Sequence, residues 1–287
     1  MIVIEQVGPL ATVQDLGRPG WFDSGVGPAG AADRGALRLA NRLVGNPQGT
    51  AGIEVLLGGL TLRAETSLLV AVTGAPAPAT VDGTPVGHAS VLHLEPGRRL
   101  RLGFARSGLR SYIGVRGGVD VAPVLGSRSH DTLSGIGPPP LREGESLPIG
   151  PQPRDWPNID QAPQPGPPGT LEIRALPGPR DDWFTDPDAL FTGHWTVSAD
   201  TDRVGARLDR AGGPPLHRTF SGELATEGMA LGSVQVPPSG QPVIFLADHP
   251  ITGGYPVIAV VADADIDRMA QARPGQRIRF RHAAGPG

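Results

Sequence analysis

The chain contains no cysteine, so disulfides, thiolate nucleophiles and Cys-ligated metals have no place in it. Lysine is missing as well: all 25 residues counted as Lys or Arg are arginine. This excludes a P-loop lysine, a Schiff-base lysine and covalent biotin on this chain. Any anion must be held by arginine or by backbone N–H groups. No apolar run approaches the roughly 18 residues that a membrane span requires. The opening Met1-Ile-Val-Ile-Glu5 has neither the charged n-region nor the apolar h-region of a secretory leader, so a cytoplasmic protein away from the membrane is expected. The net charge of −3 gives no electrostatic reason to expect a nucleic acid partner. The seven histidines show no metal-ligand spacing, and no metal is expected. Neither a Gly-x-Ser-x-Gly elbow nor a dinucleotide glycine fingerprint occurs.

Glycine and proline are abundant instead, at 42 and 32 residues. They fall at turn positions between short Val/Leu/Ile runs, which is the pattern of many short strands. A hydrophobic content of 39% supplies a core. The chain also repeats itself. Ile2-Val-Ile-Glu-Gln-Val-Gly-Pro9 returns as Leu171-Glu-Ile-Arg-Ala-Leu-Pro-Gly-Pro179. An Asp-Arg pair follows each opening, at Asp33-Arg34 and Asp202-Arg203, and then a Glu-centred turn, at Glu54 and Glu227. Each unit closes on Pro-Gly and a basic strand, at 96–102 and 274–280. A repeat of about a hundred residues exceeds a solenoid module and has the size of a small domain. The expected organisation is a first domain over 1–150 with its middle loops, a Pro-rich linker or extended arm over 151–169, and a second domain over 170–287. Short strands with few helices argue for mainly-β barrels, which leave no exposed strand edge. A few short helices are expected, among them 32–44 and 265–272, the latter capped by Asp263 or Asp265.

Three polar, glycine-rich segments stand out. The first, Thr12-Val-Gln-Asp-Leu-Gly-Arg-Pro-Gly-Trp21, offers the Gln14 amide, the Asp15 carboxylate and the Arg18 guanidinium beside backbone that glycine opens to a ligand. An Asp–Arg pair pinning a loop is the alternative. The second, Asp248-His-Pro-Ile-Thr-Gly-Gly-Tyr-Pro256, lies between two apolar runs. Asp248 or His249 has the chemistry of a general acid or base, and Gly253-Gly254 could present N–H groups as an anion nest. The third holds Arg116-Gly-Gly118 and Gly126-Ser-Arg-Ser-His130, where Arg128 and Ser129 suit a carboxylate or phosphate. Gln235, in the apolar run Ser233-Val-Gln-Val-Pro237, either faces a ligand or points outward by strand alternation.

Together, Thr12–Arg18, Gly30-Ala-Ala-Asp33 with Ala40-Asn-Arg-Leu-Val-Gly-Asn46, Leu125-Gly-Ser-Arg-Ser129, Gln235-Val-Pro237 and Thr252-Gly-Gly-Tyr-Pro256 resemble one family. It is the biotin-dependent carboxyltransferase-like family, also called allophanate hydrolase subunit 2. The resemblance runs over nearly the whole chain, in order. It implies two tandem cyclophilin-like β-barrel domains. It implies a hetero-oligomer with a subunit-B or kinase-inhibitor-like partner and a third, larger subunit, which opens the lactam of 5-oxoproline to glutamate at the expense of ATP. ATP would sit on a partner or at the shared interface. Biotin-dependent carboxyl transfer to urea, and non-catalytic sequestration of a kinase inhibitor, are the other activities it implies. Asp15 and Asp248 are the expected catalytic residues. Gln14, Arg18, Arg128, Ser129, Gln235, Thr252, Gly253, Gly254 and Tyr255 are the expected substrate contacts. Two loops depart from the family pattern: Leu133-Ser-Gly-Ile-Gly-Pro-Pro-Pro-Leu141, with Arg142 displaced, and Ile251 in place of a threonine.

Overall fold

The structure is a computed structural model, and it describes residues 1–163, 169–212, 216–220, 222 and 224–283. The chain divides into two compact units, one formed by Met1–Arg18 and Ala29–Pro167, the other by Pro19–Pro28 and Pro168–Gly287. Strands dominate both.

In the first unit, β1 (Ile2–Gln6), β4 (Thr61–Ala64), β6 (Ala79–Val81), β7 (Thr84–Val86), β9 (Arg99–Leu102) and β11 (Ser146–Leu147) form one sheet, in the order β11-β1-β4-β9-β6-β7. The other sheet runs β2-β3-β10-β5-β8, from β2 (Leu10–Gln14), β3 (Gly52–Leu56), β5 (Leu68–Gly74), β8 (Val91–Leu94) and β10 (Arg110–Val115). Alternation decides which side chains go inward: Ile2 and Ile4 from one sheet meet Val13, Ile53, Val55, Val70 and Ile113 from the other in a single core. Helix α1 (Arg34–Leu43) begins where Asp33 accepts a hydrogen bond from Ala36 N at 2.8 Å, an N-cap. It buries Leu37 and Ala40, and Thr73 of β5 donates to its Ala36 carbonyl at 2.7 Å.

The second unit is a closed barrel of seven strands, in the order β12-β19-β16-β17-β14-β13-β20. These are β12 (Thr170–Pro177), β13 (Trp195–Val197), β14 (Gly205–Arg210), β16 (Ser233–Gln235), β17 (Val243–Phe245), β19 (Val257–Val261) and β20 (Arg277–His282). The two-residue strands β15 (Glu227–Gly228) and β18 (Thr252–Gly253) form a separate ladder. The interior is filled by Ile173, Trp195, Leu208, Ile244, Ile258 and Phe280. A short helix, α2 (Ala189–Thr192), covers one part of it, and α3 (Asp263–Met269) another.

The repeat openings are β1 and β12, and the basic closings are β9 and β20. Between them the equivalence fades. β12 pairs β20 in parallel, whereas β9 pairs β4 and β6. Glu54 is not in a turn: it lies inside β3, buried, and takes the Tyr112 hydroxyl at 2.8 Å and Ala32 N at 3.0 Å. Glu227 opens β15 and pairs with Arg180. The cap of α3 also differs from expectation. Ala262 holds the N-cap position without a side-chain bond. Asp265 instead reaches Arg174 N and Nε at 2.9 and 2.8 Å, and Arg268 at 2.9 Å. Burial acts to raise the Asp265 pKa; the Arg174 and Arg268 bonds overcome that and hold it below the ordinary range.

The proline-rich stretch after Gly150 is strapped to the first unit as far as Ala162. Asp160 O accepts from Val91 N at 2.8 Å, and Ala162 N donates to Ala89 O at 2.9 Å. Arg116 donates to Pro153 O and Asp155 O at 2.7 and 2.8 Å and lies 4.5 Å from the Trp156 ring centroid. Residues 164–168 of the expected linker lie outside the described residues.

Candidate functional site

Two of the three polar segments converge in the first unit. Strand β2 delivers Gln14 and Asp15 at its end, and the chain after β10 returns as the loop 126–130. Asp15 ties them together. Its carboxylate accepts from Gly17 N at 2.7 Å, from the Ser127 and Ser129 hydroxyls at 2.6 Å each, and from Arg128 N at 2.7 Å. Asp15 N in turn donates to Ser129 Oγ at 2.9 Å. Gln14 Nε2 bridges Thr12 Oγ1 at 3.0 Å and His130 O at 2.8 Å. Three of these donors converge on Oδ1 and one reaches Oδ2, so the carboxylate holds the 126–130 loop against the end of β2.

Arg18 differs from the other members. Its side chain is 1% exposed, and one nitrogen, Nη2, donates to Ser129 O. Nε and Nη1 have no hydrogen-bond partner. A buried guanidinium with two uncommitted donors is costly unless an anion completes it. The departing loop 131–137 closes beside it. Asp131 accepts from Leu133 N and the Ser134 hydroxyl at 2.9 and 2.6 Å. Gly137 takes φ +104°, and a Cβ there would collide with the Ser129 carbonyl oxygen. Arg128 is more committed: its side chain donates to Val121 O at 2.8 Å and pairs with Asp120 at 2.7 Å. Asp15, Arg128, Asn46 and Thr50 line a recess of about 390 Å³.

The remaining segment, Asp248–Pro256, belongs to the second unit. Asp248 and Arg203 are both buried and meet in a bidentate pair, Nε–Oδ2 at 2.8 Å and Nη2–Oδ1 at 2.9 Å. In the sequence Arg203 is half of a repeated Asp-Arg pair; its carboxylate partner is 45 residues further on. The His249 ring stacks on Phe245 with centroids 5.8 Å apart, and its Nδ1 lies 2.8 Å from Pro250 O. Gly253 and Gly254 are absent from the residues with positive φ, and Gly253 is paired with Glu227 in the short ladder. The demand on Gly253 is close approach: a Cβ would fall 2.6 Å from Gln235 Nε2. Gln235 donates from that nitrogen to Tyr255 O at 3.1 Å. Thr252 and Tyr255 are exposed. Gln235 and Tyr255, with Arg207, Gln241 and Phe245, line a cavity of about 950 Å³. Arg207 does not stand out in the sequence, where it is one of several arginines on basic strands. Among the described residues, no group of three or more His, Asp or Glu could hold a metal ion, and no helix is long and apolar enough to cross a membrane.

Two β units whose loops are pinned by buried Asp–Ser and Asp–Arg contacts place the chain in one structural class, and the sequence comparison gives that class its family. The model of the carboxyltransferase domain, subdomains A and B, matches residues 24–282, and the chain belongs to this family. It is 41% identical to the C component of the 5-oxoprolinase of Escherichia coli (strain K12), over 98% of this chain and 90% of that protein. Among solved structures it is similar to TTHA0988, with a TM-score of 0.88 at 35% identity, over 98% of this chain and 56% of that chain. It is also similar to the urea carboxylase of Kluyveromyces lactis, with a TM-score of 0.90 at 27% identity, over 99% of this chain and 27% of that one. The chain thus spans about half of the first solved chain and about a quarter of the second.

Proposed function

We propose that the chain is a subunit of an ATP-dependent 5-oxoprolinase, which opens the lactam of 5-oxo-L-proline to L-glutamate. The observation that carries this reading is the match to the Escherichia coli 5-oxoprolinase component, which spans 98% of this chain and 90% of that protein. The chain acts with a subunit-B-like partner and a third, larger subunit. A five-membered lactam is a stable amide. Transfer of the ATP γ-phosphoryl group to its oxygen releases ADP and makes an imidate-like carbon that water attacks. Cleavage of the C–N bond then leaves an acyl phosphate, and a second water releases phosphate to give glutamate. ATP is held by a partner or at the interface with it. Within this chain, Asp15 and Asp248 act as positioning residues: Asp15 holds the Ser127 and Ser129 hydroxyls, and Asp248 pairs with the buried Arg203. Arg207, exposed and lining the cavity of the second unit, is a guanidinium with donors left for a ligand.

The test is ATP hydrolysis dependent on 5-oxo-L-proline, followed together with glutamate release, in a complex reconstituted from this chain and the other subunits. Omitting each subunit in turn is expected to abolish both signals. Full activity without this chain would remove the reading.

A second reading is carboxyl transfer, favoured by the likeness to the Kluyveromyces lactis urea carboxylase. It requires carboxybiotin supplied by another polypeptide, since this chain has no lysine to carry biotin.

A further inference from the structure

The cavity of about 950 Å³ lies on the outer face of the second barrel. Its floor follows from the register of three neighbouring strands. Arg207 of β14 lies opposite Val243 of β17, and Val243 lies opposite Gln235 of β16. One row therefore reads guanidinium, isopropyl, carboxamide. With strands spaced about 4.8 Å apart, the two polar backbone positions are roughly 10 Å from each other, a span that two long side chains can close over the apolar residue between them. Phe245, opposite Gly205, extends the apolar floor by a second row.

The two polar ends have complementary chemistry. Among the described residues, the Arg207 side chain makes no hydrogen bond or ion pair; only its backbone is engaged, the N–H with Thr201 Oγ1 at 3.2 Å and the carbonyl with Ser198 N at 2.9 Å. It offers donors only, in the fork that matches a carboxylate. Gln235, which lines the cavity, spends its Nε2 on Tyr255 O, which leaves its oxygen as the acceptor it can offer a ligand. The rim adds the carboxylates of Asp200 and Asp202, so a ligand with several phosphates would meet more negative charge than positive. A singly charged carboxylate that carries an N–H donor and a short hydrocarbon body fits all three features.

We propose that this face binds a compact cyclic amide bearing one carboxylate, with the carboxylate on Arg207, the amide N–H on Gln235 Oε1 and the ring over Val243 and Phe245. The proposal rests on the oxoprolinase reading and deepens it, because 5-oxo-L-proline has this layout.

The experiment measures binding of 5-oxo-L-proline and of 2-pyrrolidinone, the same lactam without the carboxylate, to the full chain by titration calorimetry or NMR. Wild type, Arg207→Gln and Arg18→Met are compared, with circular dichroism and thermal melts to establish folding. Arg207 is exposed, so its replacement is expected to leave the fold intact. A charge-assisted pair predicts that wild type prefers the acid by about tenfold or more. Arg207→Gln is expected to bind the two ligands alike, and Arg18→Met to keep the preference. A preference that survives in Arg207→Gln, or that disappears only in Arg18→Met, overturns the proposal, as does failure of wild type to bind either ligand. The reconstituted complex separates the two readings. Turnover of 5-oxoproline with an unchanged KM in Arg207→Gln would leave the function standing and remove this site. Arg207-dependent binding without any turnover would leave the site and remove the function.

Discussion

Asp15 shows why residue type alone is a weak guide to role. A carboxylate among glycines near an arginine has the look of a general base, and the sequence leaves that reading open beside a loop-pinning one. The structure gives it four donors from two segments more than a hundred positions apart. Replacing Asp15 with Asn swaps one acceptor for an NH₂ group that would face the Arg128 or Gly17 N–H. Leaving a buried donor unsatisfied costs about 1–3 kcal/mol. Asp15→Asn is therefore expected to lower the unfolding free energy in urea by that amount, with loss of protection at the amides of 126–130 in hydrogen exchange. An unchanged stability with unchanged protection would show that the anchor is dispensable. The motifs make these residues legible as a group, because Gly-Ser-Arg-Ser and Thr-Val-Gln-Asp each concentrate hydrogen-bonding side chains. Their mutual contacts are not legible, since a bond such as Ser129–Asp15 spans a sequence separation of 114 and leaves no local pattern. Arg207 escapes for a related reason: its setting comes from the register of β14 against β17, which alternation alone does not fix.

At the scale of elements, local periodicity performs well where one rule dominates. The helix expected at 32–44 is α1 at Arg34–Leu43, because an Asp N-cap, an apolar side and a Gly-Asn-Pro stop all agree there. The apolar run at 257–261 is β19 without change. Strand β14 leaves little trace in the sequence, since Gly-Ala-Arg-Leu-Asp-Arg carries charge on alternate positions and few large apolar residues. Strand β2 looks like part of a ligand loop because its polar residues, Thr12 and Gln14, are buried. The strap after Gly150 is the clearest case of an element made by contacts and not by propensity. Its prolines remove backbone donors, so a side chain from elsewhere supplies them: Arg116, buried, donates to Val44 O, Pro153 O and Asp155 O and stacks on Trp156. Arg116→Ala would leave those carbonyls to water and unload the Trp156 ring. We expect proteolytic cleavage within 151–163 to become at least several-fold faster while cleavage in the second unit keeps its rate. Equal rates in the two proteins would mean that the bonds at 89–91 hold the strap without Arg116.

For the whole molecule, the sequence repeat and the fold meet at the opening strand of each unit; the matched basic strand is the last strand of the second unit, whereas β10 and β11 follow it in the first. The matched openings are first strands and the matched closings are basic strands, whereas Glu54 lies buried inside β3 and Glu227 opens the short strand β15, although each pairs with an arginine. The absence of lysine also acts at this scale. It means that neither unit can carry biotin, so carboxyl transfer by a complex containing this chain depends on a biotinylated partner. Lactam opening has no such dependence, because the phosphoryl group of ATP activates the amide directly. Excess avidin added to the reconstituted complex is therefore expected to leave 5-oxoproline-dependent ATP hydrolysis unchanged, and withdrawal of bicarbonate is expected to do the same. Inhibition by avidin, relieved by free biotin, would assign the complex to carboxyl transfer. In that event the carboxylate preference at Arg207 would have to be explained by an acidic acceptor in place of urea, since urea has no charge for a guanidinium to hold.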